Sequence, residues 1–171
     1  MGRCSPAEIT SRAGHRFGEM KIYLLAVGKI KDKSIKEKIN YYLSRLGRGF
    51  EIKIIEVPDS KAKEPEKMKK QEAEKLLEQI PQKAYLVVWD EKGELITSEE
   101  FARLIEKVIN QGRELTFILG GAYGLGQAVK KRADKILALS KMTFPHELAR
   151  LLVVEQLYRA FHILQKTGYH H

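Results

Sequence analysis

The sequence predicts an α/β fold, a mainly parallel sheet flanked by helices. Three observations lead to it. Five short apolar or alternating runs recur along the chain, each suited to a strand, and the segments between them return apolar residues at helical spacing. Strands that alternate with helices imply a parallel sheet covered on both faces. The 171 residues, 43% of them hydrophobic, suit one domain with its own core.

The elements follow in order. Residues 21–27 (KIYLLAV) form an apolar strand that stops at Gly28. Residues 34–46 place Ile35, Ile39, Tyr42, Leu43 and Leu46 on one helical face and end before Gly47 and Gly49. Residues 51–57 (EIKIIEV) alternate as a half-buried strand does, and Pro58-Asp59 closes it. Residues 61–79 read as a charged helix with a sparse apolar seam through Met68, Ala73, Leu76 and Leu77, its polar face solvated. The continuous run at 84–89 (AYLVVW) predicts a strand buried on both faces and ending at Asp90. Ser98-Glu99-Glu100 opens a helix carrying Phe101, Leu104, Ile105, Val108 and Ile109, and Gly112 stops it. Residues 115–119 are the fourth strand, 127–133 a short helix and 135–139 the fifth strand. After Pro145 a helix runs from 146 to about 165, with Leu148, Leu151, Leu152, Val153, Val154, Leu157, Tyr158 and Phe161 nearly encircling its axis. Such a helix is buried on more than one side, and a subunit interface in a homodimer would supply the second.

Composition narrows the function classes. No apolar run approaches the roughly 20 residues of a membrane span, and no signal-peptide core precedes the first strand, so the cytosol is the default. A single cysteine, Cys4, excludes an internal disulfide and any CxxC zinc pair. His146, His162, His170 and His171 match no metal-ligand spacing, and no metal is expected. Residues 1–19 lack any strand or helix period and read as a non-native leader or disordered extension, leaving 20–171 as one domain. The formal charge of +9 makes a polyanion, nucleic acid above all, the expected partner.

The stretch from Phe117 to Gly126 runs an apolar strand into four glycines and then a polar helix. Glycines at a strand end let backbone N–H groups approach a ligand closely, and the helix start adds positive charge. The spacing is not GxGxxG. Two other segments share the carboxyl edge of the predicted sheet, where open α/β folds bind ligands: Trp89-Asp90, and Leu139 to Pro145. Together the three read as the walls of one pocket. Catalytic side chains are scarce, since Asp90 and Glu91 are neighbours on a strand and point apart. An enzyme that positions a reactive cofactor needs few.

Five stretches carry a family resemblance: residues 20–28 (MKIYLLAVG), 119–125 (LGGAYGL), 139–146 (LSKMTFPH), 154–160 (VEQLYRA) and Tyr169-His170. In this order they resemble the ribosomal large-subunit pseudouridine methyltransferase H family, of the SPOUT class. The resemblance implies a C-terminal trefoil knot, a homodimer whose active site draws on both chains, and S-adenosylmethionine as cofactor. It implies cofactor contacts at Trp89, where relatives often carry leucine, at Gly120, and at Leu139, Ser140, Lys141, Met142, Thr143 and Phe144. The implied reaction is methylation of N3 of a pseudouridine in helix 69 of 23S rRNA within the ribosome. His146, Arg150, Arg159, Tyr169 and His170 are then expected to shape the RNA side, Arg150 and Arg159 having an intrahelical pair with Glu155 as their rival role. Two other functions compete: a flavodoxin- or Rossmann-like nucleotide-binding protein, which lacks a ribose-binding acid because Asp134 comes too early, and a non-catalytic ribosome-binding module.

Overall fold

The computed structural model describes residues 21–46 and 50–166. The N-terminal leader expected over 1–19, with Cys4, and the tail residues Tyr169 and His170 lie outside them. The elements are β1 (Lys21–Val27), α1 (Lys33–Ser44), β2 (Glu51–Val57), α2 (Pro65–Glu78), β3 (Tyr85–Leu95), α3 (Ser98–Asn110), β4 (Leu115–Leu119), α4 (Gln127–Arg132), β5 (Lys135–Ala138) and α5 (His146–Leu164). All strands pair in parallel in the order β2-β1-β4-β3-β5.

Each helix has a local cause. Asp32 caps α1 by accepting from the Ser34 and Ile35 N–H groups at 2.8 and 3.1 Å. Thr97 and Glu100 close a reciprocal capping box at the start of α3. Pro65 sits in the first turn of α2, where its missing N–H costs nothing, and sets a later start than the charge pattern at Lys61 suggests. One face of the sheet packs against α1, α3 and α5, with Phe117, Ile105, Leu157 and Phe161 in that layer. The other packs against α2 and α4 through Leu25, Leu76, Ile118 and Val129. All five residues of β4 are buried. At roughly 1.5–3 kcal/mol for each large apolar side chain removed from water, β4 is among the firmest parts of the sheet, and the glycine turn is attached directly to it.

β3 departs from expectation. It continues past Trp89 to Leu95, and Trp89 and Glu94 both stand opposite Leu137 across a bulge. The extra residues lose the alternating pattern that marks a strand, which is why the sequence reads as ending at Asp90. Beyond β5, the chain crosses the carboxyl edge of the sheet. The first turn of α5 reaches the far side of β1, where the Glu147 carboxylate accepts from the Lys31 and Asp32 N–H groups, each at 3.1 Å. Those two bonds hold the Glu147 carboxyl below its usual pKa.

Candidate active site

The carboxyl edge holds an open cavity of about 810 Å³. Its walls are the three predicted segments: Trp89 with the bulge that follows it, the turn from Gly120 to Leu125, and residues 139–145. The sheet order explains the convergence, because β4, β3 and β5 are neighbours and parallel, so their following loops emerge together. In the turn, Gly124 donates to the Gly121 carbonyl at 3.1 Å and takes a φ of +81°. A Cβ on Gly120 would stand 2.8 Å from the Gly124 carbonyl carbon, so the turn closes only around a bare backbone there.

Hydrogen bonds tie the walls to one another. Thr143 Oγ1 donates to Glu91 at 3.0 Å, joining the 139–145 segment to the bulge, and the Met142 N–H donates to Ser140 Oγ at 3.0 Å. Lys130, from α4, pairs with Asp90 at 2.6 Å. Burial disfavours the Asp90 charge, but Lys130 and the Lys92 N–H outweigh it and keep the carboxyl below its ordinary pKa. Asp90 is therefore an anion engaged with a cation, in keeping with the expectation that Asp90 and Glu91 do not act as a pair. Trp89 packs edge-on against Phe101 and more openly against Phe117, with centroid distances of 5.5 and 6.4 Å. Its Nε1 is buried and, among the described residues, has no hydrogen-bond partner. The same indole borders a second cavity of about 390 Å³, lined also by Phe101, Leu139, Phe144 and Leu152.

The structure sorts the expected site residues. Trp89, Gly120, Leu139, Ser140, Met142, Thr143, Phe144 and His146 line the larger cavity. Lys141 is exposed and stands outside the lining. Arg150 does not reach the cavity and does not pair with Glu155. It is 1% exposed, binds Glu56 at 2.7 Å and donates to the Val27 and Gly28 carbonyls at 3.1 and 3.0 Å. Its guanidinium is occupied in fastening α5 to the end of β1. Arg159 makes the intrahelical pair with Glu155, at 2.8 Å. Sequence reasoning did not find the cavity residues Lys69 and Lys130, which come from α2 and α4 on the opposite face of the sheet. Lys130 stands one turn into the helix after the glycines, and that position was its only signal. Asp134, too early for a ribose contact, accepts instead from the Leu86 N–H at 2.8 Å. Among the described residues, no group of three or more His, Cys, Asp or Glu side chains could hold a metal ion, and no helix is long and apolar enough to cross a membrane.

A five-stranded parallel sheet with a loop-built cavity at its carboxyl edge defines an α/β protein with a ligand site of the enzyme kind. A family model described as "Predicted SPOUT methyltransferase" matches residues 20–170. The chain belongs to the SPOUT methyltransferases and, within them, to the ribosomal RNA large subunit methyltransferase H family. Its similar relatives of that description include proteins from Ruminiclostridium cellulolyticum (46% identical, covering 88% of this chain and 99% of the relative), Halothermothrix orenii (44%, 88% and 99%) and Caldicellulosiruptor saccharolyticus (42%, 87% and 99%). Among solved structures, the chain is similar to the SpoU methyltransferase AviRb of Streptomyces viridochromogenes, solved in complex with AdoMet. The TM-score is 0.44 at 14% identity, over 95% of this chain and 64% of the other, and a likeness that weak adds nothing to the assignment.

Proposed function

We propose that the chain is an S-adenosylmethionine-dependent methyltransferase of 23S rRNA that methylates N3 of a pseudouridine in helix 69, on the assembled ribosome in the cytoplasm. The observation that carries this reading is the convergence of three strand-end segments on one cavity in a chain of this family. Relatives described as ribosomal RNA large subunit methyltransferases favour RNA as acceptor, and so does the charge of +9.

The cavity suits an adenosyl ligand in two respects. Its turn closes on itself at Gly120 and so presents bare backbone at that wall, and the buried Trp89 Nε1 offers a donor that no group among the described residues accepts. Trp89, Gly120, Leu139, Ser140, Met142, Thr143 and Phe144 would hold the ligand, and we assign the Lys141 side chain no contact. When bound, S-adenosylmethionine supplies an electrophilic methyl group on a sulfonium. The part of the protein is to hold the acceptor base in line and to limit water around it, which is where most of the acceleration would arise. N3 is a weak acid and its proton must leave. His146, on the cavity border, is the described side chain we assign to receive it, directly or through a water. Tyr169 and His170 keep the RNA-side role that the resemblance implies, and Arg159 keeps it alongside its bond to Glu155. Arg150 acts only through the placement of α5.

The decisive assay offers labelled S-adenosylmethionine with isolated 23S rRNA, the large subunit and the 70S ribosome. Label is expected in the 70S sample, and His146→Ala should lower kcat by about 100-fold or more while calorimetric affinity for S-adenosylmethionine is retained. Label in none of the three samples would reject the reading, and calorimetric binding of NAD or FMN in place of S-adenosylmethionine would favour the nucleotide-binding alternative. The homodimer is also proposed: Leu148, Leu151 and Leu152 are only half-buried on α5, and Leu152 and Phe144 border the smaller cavity. Light scattering is expected to give twice the chain mass; a mass of 19.6 kDa would exclude the dimer.

A further inference from the structure

The basic residues of this protein are not evenly compensated. Residues 61–78, which include α2, carry six basic and five acidic side chains, so that helix nearly neutralises itself. Residues 29–45, which include α1, carry six basic residues (Lys29, Lys31, Lys33, Lys36, Lys38 and Arg45) against Asp32 and Glu37. All six are exposed. Among the described residues none of the six enters an ion pair, whereas α2, α4, β5 and α5 all contribute cations to such pairs. The Asp32 carboxylate is already engaged as the cap of α1.

Two further observations give this charge a shape. Tyr41 is 41% exposed, and its ring is approached by Lys38 Nζ at 4.3 Å and by Arg45 Cζ at 4.2 Å, measured to the centroid. These residues lie three before and four after Tyr41, one turn to either side on the same face. The ring restrains both cations without cancelling their charge. The strip is also continuous with the cavity, because Glu147 holds the Lys31 and Asp32 N–H groups while its neighbour His146 borders the cavity. From there α1 extends for about 18 Å at 1.5 Å per residue. An anionic membrane would call for apolar side chains among the lysines, and Tyr41 is the one large apolar side chain exposed on α1.

We propose that this face of α1 docks the phosphate backbone of the RNA substrate outside the modified nucleotide, with Lys38 and Arg45 contacting phosphates and Tyr41 as their positioning residue. The proposal rests on the reading of the chain as an rRNA methyltransferase. Its test uses the full chain with Lys38→Gln and Arg45→Gln combined, and with Tyr41→Ala and Tyr41→Phe separately. Binding to 70S ribosomes and to 23S rRNA is measured across a salt series, beside methyl transfer and calorimetry with S-adenosylmethionine. Losing two phosphate contacts should make the slope of log K against log salt shallower by about 1.4–1.8. Transfer should weaken through KM rather than kcat, with affinity for S-adenosylmethionine unchanged. Tyr41→Ala should show a smaller loss that Tyr41→Phe restores. Wild-type affinity and slope in the double variant, with methyl transfer intact in the wild type, would overturn the docking surface and leave the function standing. A missing methyl transfer in the wild type, with the slope still reduced in the variant, would reject the function and support the surface. Equal weakening toward polyglutamate would replace RNA by an acidic protein as the partner.

Discussion

Glu56→Ala is expected to lower the unfolding free energy by about 3 kcal/mol, the lower end of the loss when one partner of a buried ion pair is removed, because Arg150 is buried while the Glu56 side chain is 31% exposed. Arg150 is 1% exposed, and Glu56 is the carboxylate that binds it. Among the described residues, the remaining acceptors of the guanidinium are two carbonyls at the end of β1, and its Nε has none. Burial already pulls the Arg150 pKa below its ordinary value, and Glu56 opposes that pull. Without Glu56 the charge would stay buried with two carbonyl dipoles in hydrogen-bond reach and only the more distant carboxylates of Glu147 and Asp59 to balance it. The measurement is the denaturant midpoint at unchanged m-value. Replacing both partners, as Glu56→Gln with Arg150→Met, should recover most of the loss, since an apolar side chain of similar length needs no counter-charge. A loss under about 1 kcal/mol in Glu56→Ala would mean that the pair behaves as an exposed one. The same variants decide the role of Arg150: methyl transfer per folded molecule should survive Arg150→Met, which a phosphate-binding arginine would not allow.

Gly93→Ala should destabilise by roughly 3 kcal/mol, the upper end of the usual cost of overpacking, and should also weaken binding of S-adenosylmethionine. A Cβ at Gly93 would collide with the Leu137 carbonyl carbon and stand 2.7 Å from its oxygen. Both are backbone atoms in β5 and have no rotamer with which to retreat. Leu137 is also where the bulge of β3 brings Trp89 and Glu94 together, so displacing it moves the strand that feeds residues 139–145. Gly112→Ala is the control, with a φ of +65° and nothing within 4 Å of the added Cβ. It should cost about 1 kcal/mol of backbone strain and leave ligand binding unchanged. Equal effects of the two substitutions on ligand binding would remove the close contact at Leu137 as their cause.

Much of this fold was readable because its signals are local. β1, β2 and β4 run over the residues whose apolar or alternating pattern predicts them, and a parallel sheet then requires the loops after β3, β4 and β5 to share one edge. The cavity walls were legible on that ground alone. What stayed hidden depends on distance along the chain. Arg150 and Glu56 are 94 residues apart, and no spacing within α5 shows that the guanidinium is turned toward β1. Lys69 falls on the charged helix whose polar face reads as solvated and Lys130 on a short helix given no role, and only the packing of α2 and α4 beneath the glycine turn brings them to the cavity. The bulge of β3 was concealed in a polar stretch, because its pairing with Leu137 is set by a partner strand more than 40 residues away.

Trp89 is the single tryptophan of the chain, and with Leu139 and Phe144 it lines both cavities. The protein thus carries a native fluorophore at a position that touches both chambers. Its emission depends on the polarity around a buried N–H group that has no partner among the described residues. A ligand entering either chamber changes that surrounding without any dye being attached. Occupancy can therefore be followed in real time on the unmodified protein, and the chamber responsible identified by narrowing the larger at Ala149 or the smaller at Leu152, each of which lines one cavity alone.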